Sequence, residues 1–78
     1  MPESGRVKFF DDRKGWGVIV GDDGQDFIAH AKEIRSMFKT LERGEVVIFE
    51  VKISPRGQRR ALNIRRQWQE QQTIKQEG

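Results

Sequence analysis

Cysteine is absent from all 78 residues, and histidine occurs once, at position 30. Without thiols there is neither a disulfide framework nor a thiolate metal site, so the fold has to hold by apolar packing, as suits a reducing cytoplasm. No apolar run approaches the roughly 18 residues that cross a bilayer, and Met1-Pro2-Glu3-Ser4-Gly5 has none of the apolar core of a signal peptide. The expectation is a soluble, cytoplasmic chain with no membrane partner. Catalytic chemistry is poorly supplied, because no acid sits in a context that suggests a nucleophile or a general base. A lone His30 with no cysteine in the chain, and with Asp26 four residues back on the same short run, does not make a metal set. No catalytic residue, metal or small-molecule cofactor is therefore expected. A chain this short forms one domain at most and buries only about 60% of its unfolded surface.

The net charge of +3 is modest, but its distribution is not. Asp11, Asp12, Asp22, Asp23, Asp26 and Glu33 stand against three bases in the stretch they span. Lys52, Arg56, Arg59, Arg60, Arg65 and Arg66 follow with no acid between them. A one-signed edge of this kind is either a solvated surface or a track for phosphates.

Short β-rich runs divided by turn residues, with no extended helical period before residue 65, predict a small all-β barrel or sandwich. Five strands are placed at 5–10, 15–20, 26–30, 45–53 and 59–65. Asp11-Asp12-Arg13-Lys14, Gly21-Asp22-Asp23-Gly24 and Ser54-Pro55-Arg56-Gly57-Gln58 serve as connections, and 31–44 reads as a short helical turn plus a loop. The Asp22–Asp26 acids lack the spacing of a calcium loop and are explained by a turn. Gly15-x-Gly17 is followed by no helix pattern and is not a dinucleotide fingerprint.

Side chains alternate across a sheet, and that parity sorts each run. Val47, Phe49, Val51 and Ile53 form one apolar set, the expected core. Gly17 and Ile19 go inward with Phe27 and Ala29, whereas Trp16, Val18, Ile28 and His30 share an outer patch. Such a patch marks a contact site, although a register slip of one residue would invert it. Lys14-Gly15-Trp16-Gly17-Val18-Ile19 puts a cation and an aromatic among glycines, which is the composition of a stacking platform for unpaired bases.

These residues resemble the cold-shock domain, a five-stranded antiparallel OB-fold barrel that binds single-stranded RNA and DNA. The hexapeptide 14–19 resembles the family's Lys-Gly-Phe-Gly-Phe-Ile motif, and Asp26-Phe27-Ile28-Ala29-His30 resembles Asp-Val-Phe-Val-His. Gly5-Arg6-Val7-Lys8-Phe9-Phe10, Phe38-Lys39-Thr40-Leu41 with Gly44, and Ala61-Leu62-Asn63-Ile64 are similar to further family segments in the same order. The likeness covers residues 5–66. Val18, Ile28 and Ala31 stand where the family usually has aromatics, which implies weaker or narrower binding. Phe27 and Ala29 replace two β-branched residues, so Phe27 is expected to fill space left by Ala29.

The resemblance implies a single-strand RNA or DNA binder with an RNA-chaperone-like role, as a monomer or weak homodimer. Phe9, Phe10, Trp16, His30 and Phe38 would stack on bases with apolar help from Val18 and Ile28, and Lys8, Lys14, Arg56, Arg59 and Arg60 would meet phosphates. A small β-barrel used for protein contact is the alternative, but it leaves the interleaving of bases and rings from Lys8 to Trp16 unexplained. An RNA-recognition motif needs two packed helices for which this chain has no room. Residues 1–66 are read as the domain and 67–78 as a Gln-rich C-terminal extension, expected either to fray or to pack Trp68 on the barrel or on a second copy.

Overall fold

The computed structural model describes residues 2–66; the 67–78 extension and Trp68 lie outside them. Five strands follow one another as β1 (Glu3–Asp11), β2 (Trp16–Gly21), β3 (Asp26–His30), β4 (Val46–Ile53) and β5 (Arg59–Arg66), with a 3₁₀ turn at Ala31–Glu33. They close into a barrel in the order β1-β2-β3-β5-β4, and β4 returns to pair with β1. Four junctions are antiparallel. The fifth, between β3 and β5, is parallel and consists of the pairs Ile28↔Arg60 and Ala29↔Ala61. β4 runs between these strands in the chain, so β5 returns in the direction of β3.

The interior is built by alternation. Val7, Ile19, Phe27, Ala29, Val47, Phe49, Ala61 and Ile64 point inward, joined by Ile34 and Leu41 from the segment between β3 and β4. The parity expected for β2 and β3 holds at every position: Gly17, Ile19, Phe27 and Ala29 are buried, whereas Trp16, Val18, Ile28 and His30 are half-buried on the other face. The rings of Phe27 and Phe49 meet in the core with centroids 5.1 Å apart. Gly17 is required where it stands, because a Cβ there would lie 2.7 Å from Phe10 Cα on the neighbouring strand.

Strand β4 corrects one expectation. Val47 and Phe49 are core residues, but Val51 and Ile53 are 36% and 55% exposed. β1 pairs with β4 only from Val46 to Phe49; beyond that point β4 pairs with β5 alone. Val51 and Ile53 therefore lie on the part of the β4–β5 ribbon where β4 has lost its β1 neighbour and its edge is left open.

Two bulges adjust the strands. On β1, Val7 pairs with Ile19 and Phe9 with Val18, so Lys8 is the extra residue. On β5, the two residues Asn63 and Ile64 occupy the space opposite Phe49. Asn63 adopts a left-handed φ of 51° there, a conformation Asn tolerates better than most side chains. Its amide spans the site, donating to Glu50 Oε1 at 3.1 Å and accepting from Arg35 Nε at 3.0 Å.

Candidate nucleic-acid interface

The Lys8 bulge builds the outer face. Unbroken alternation from the buried Val7 would send Phe9 inward; one extra residue turns Phe9 out and Phe10 in. Phe9 is then 40% exposed, while Phe10 sits opposite Gly17 and packs against the core. Of the two β1 rings among the five expected to stack, Phe9 joins the open face and Phe10 supports it from beneath.

Registers across all five strands align one transverse row of outward residues: Phe9, Val18, Ile28, Arg60 and Lys52. Three apolar side chains are thus followed by two cations along a single line. Below it, Trp16 and His30 are direct cross-strand partners. Trp16 is half-buried, neither sealed in the interior nor fully exposed, and the edge of the aromatic pair it forms with Phe9 closes the corner of the face at a centroid distance of 5.5 Å and an angle of 75°. Local backbone bonds fix this end of the barrel. Gly15 N–H donates to Asp11 O at 2.8 Å, and Ala31 N–H donates to Gly15 O at 2.9 Å, which ties the β1–β2 turn to the start of the 3₁₀ turn.

The remaining expected residues are placed around that row. Lys8 is exposed and lies 3.7 Å from Asp26, a solvent-facing pair of the kind that contributes about 0–1 kcal/mol and exchanges readily. Lys14 is exposed in the β1–β2 turn, its backbone N–H held by Asp11 Oδ1 at 3.1 Å. Arg56 is at the tip of the 54–58 hairpin, whose ends are joined by Ser54 N–H to Gln58 O at 2.9 Å. Arg59 pairs with Ile53 and, by alternation, projects to the side of the ribbon opposite Arg60. It does not join the face.

Phe38 is 72% exposed on the long loop between the 3₁₀ turn and β4. That loop has little regular structure, so side chains hold it. Ser36 Oγ donates to Phe38 O at 2.7 Å, and Lys39 Nζ donates to Ile34 O at 2.7 Å. Thr40 Oγ1 donates to Asp12 Oδ1 in the β1–β2 turn. The mostly buried guanidinium of Arg66 donates to Glu45, to Thr40 O and to Ser36 Oγ, gathering three points of the loop. Sequence patterning gave Arg66 only as one charge in a basic run; its role depends on where the loop returns, which no local pattern encodes. Lys52 was also outside the expected set, although its parity already turned it away from the core.

Comparison with known proteins agrees with this geometry. The family described as "'Cold-shock' DNA-binding domain" matches residues 3–67. The major cold shock protein of Streptococcus pyogenes serotype M6 is 48% identical over 61 residues, covering 77% of this chain and 90% of its own. Cold shock protein 1 of Lactiplantibacillus plantarum is 45% identical over 56 residues, covering 70% and 85%. The solved structure "drosophila Unr CSD456" shares the fold with a TM-score of 0.70 at 19% identity, covering 85% of this chain and 26% of that one. A closed five-stranded barrel with an apolar and cationic outer face is an OB-fold of the nucleic-acid-binding kind. The chain belongs to the cold-shock domain family.

Proposed function

We infer that this protein binds single-stranded RNA, and single-stranded DNA by the same contacts, through the outward face of β1, β2 and β3. The observation that carries the reading is the row Phe9, Val18, Ile28 and Arg60, with Trp16 and His30 beside it. Unpaired bases have π-faces that rings can stack on, and aliphatic groups give them apolar contact without reading sequence. Trp16, Phe9, His30 and Phe38 supply the rings; Val18 and Ile28 supply flat apolar surface between them. Lys8, Lys14, Arg56 and Arg60 meet phosphates around the rim, and Arg59 adds to the field from the far side of the ribbon.

With aliphatic side chains at Val18 and Ile28, each of those positions gives up part of the roughly 1–3 kcal/mol that a stacked ring contributes. Modest affinity suits a chaperone-like role, because a protein that favours open strands by mass action and then releases them shifts hairpins without trapping them. The test is a tryptophan-fluorescence titration of a Trp68→Phe variant as a monomer. Oligo-U and oligo-dT should quench Trp16 saturably, and a matched duplex should not. Equal response to duplex and single strand would overturn the reading.

A further inference from the structure

Past Ile28 the outer face runs into a groove that the stacking residues do not use. It has a volume of about 430 Å³, lies between the 3₁₀ turn and the β4–β5 ribbon, and is lined by Lys32, Glu33, Lys52, Ser54, Arg60 and Leu62 among others. Three separate elements each bring a cation to it: Lys32 from the 3₁₀ turn, Lys52 from β4 and Arg60 from β5.

Lys52 and Arg60 are direct partners in the antiparallel ladder, with side chains on the same face. Like charges placed opposite one another destabilise a sheet unless something of the other sign stands between them. No carboxylate does so among the described residues. The only acid lining the groove is Glu33, and its Oε1 already accepts from Asn63 N–H at 3.1 Å and lies 3.4 Å from Arg35 Nη2. Arg60 directs its Nε to Gln58 Oε1 at 3.2 Å, leaving the terminal nitrogens of its guanidinium for another acceptor. The groove thus gathers three cations against one acid that is already engaged, and it adjoins Ile28, the β3 partner of Arg60.

We propose that Lys32, Lys52 and Arg60 form a phosphate site that takes a backbone phosphodiester of the bound strand as it leaves the base-stacking row. The proposal rests on the single-strand reading above and extends the ligand's path across the β3–β5 junction. An oxyanion between Lys52 and Arg60 turns a repulsive pair into a bridged one, so the site couples occupancy to the stability of the ribbon. The donor set gives the ligand chemistry: two ammonium groups and a guanidinium, brought to one groove by three elements, suit an oxyanion better than an uncharged planar ring.

Two measurements test it on the full chain, with Lys52→Gln and Lys32→Gln compared against Arg43→Gln, an exposed cation remote from the groove. In the first, the thermal midpoint is recorded with and without millimolar pyrophosphate at constant ionic strength. The parent and Arg43→Gln should gain stability, and the two groove variants should lose most of that gain. Lys52→Gln should also melt higher than the parent in chloride alone. Equal protection of all four proteins would mean a general effect of anions and would overturn the site.

In the second, the salt dependence of oligo-U affinity is measured. Loss of one phosphate contact should lower the log-log slope by about 0.7 and weaken binding about fivefold near 0.1 M salt, with the Trp16 quench at saturation unchanged. An unaltered slope in both groove variants, alongside intact pyrophosphate protection in the parent, would show a site for free phosphate and overturn its assignment to the strand. If the parent bound no single strand at all, the stacking reading would fail, and the pyrophosphate measurement would decide the groove by itself.

Discussion

Phe9 meets Trp16 edge to face, centroids 5.5 Å apart and planes at 75°. A pair of this geometry adds about 0.5–1.5 kcal/mol beyond the area it buries, and here it also fixes the tilt of the indole at the corner of the open face. Trp16→Ala should weaken oligo-U binding by about 1–3 kcal/mol while the far-ultraviolet circular dichroism stays that of the parent. Phe9→Ala should weaken binding and also shift the Trp16 emission in the free protein, because the indole loses its neighbour. Emission and affinity unchanged in Phe9→Ala would contradict the pair's role.

Arg66 and Glu45 hold the Phe38 loop from below, with side chains only 16% and 17% exposed. Removing one member of a buried pair strands the other, at about 3–5 kcal/mol when burial is complete. Residual exposure lowers the expectation for Arg66→Met to about 2–3 kcal/mol, read from urea unfolding. Affinity for oligo-U should fall too, but far less in a Phe38→Ala background. Equal losses with and without the Phe38 ring would mean that Arg66 acts on binding by some other route.

Gly17→Ala tests how tightly β1 and β2 are joined. The added methyl would come 2.7 Å from Phe10 Cα and 2.8 Å from Phe10 Cδ1, and backbone cannot swing aside as a side chain would. Overpacking of this kind costs about 1–3 kcal/mol. The variant should lose stability and binding together, since Phe9 rides on the displaced strand. A variant as stable as the parent would show that β1 yields more easily than its pairing suggests.

The sizes of Phe27 and Ala29 predict that the two compensate each other in volume. Phe27 packs on Phe49, while Ala29 lies in an inner row of small residues, between Gly17 and Ala61. Each single change to valine should cost about 1–3 kcal/mol, one by leaving a void and the other by crowding. The double variant should recover at least about 0.5 kcal/mol of their sum. Strict additivity in urea unfolding would show that the two sites do not share space.

Where alternation runs uninterrupted, the sequence was enough. Trp16, Val18, Ile28 and His30 are assigned to one face by parity alone, and so are Gly17, Ile19, Phe27 and Ala29 to the other. Turn residues at 21–24 and 54–58 locate two of the connections equally well. Parity fails where the ladder counts differently on its two strands. The extra residue at Lys8 exchanges the sides of Phe9 and Phe10, and nothing in Val7-Lys8-Phe9-Phe10 announces it. Val51 and Ile53 continue the apolar pattern of Val47 and Phe49, but burial needs a second neighbour, and β1 ends before reaching them. Arg66 and Lys52 acquire meaning only when a distant segment is brought beside them, so their charges are legible while their partners are not.

The parallel junction of β3 with β5 rests on the pairs Ile28↔Arg60 and Ala29↔Ala61, supplemented by the isolated bridge Ile34↔Ile64. An oligonucleotide lying over Ile28 and Arg60 would lace together the sparsest part of the barrel wall. Closing the cylinder and gripping the strand would then be one equilibrium, and backbone amides along this join would exchange with solvent more slowly whenever a ligand is in place.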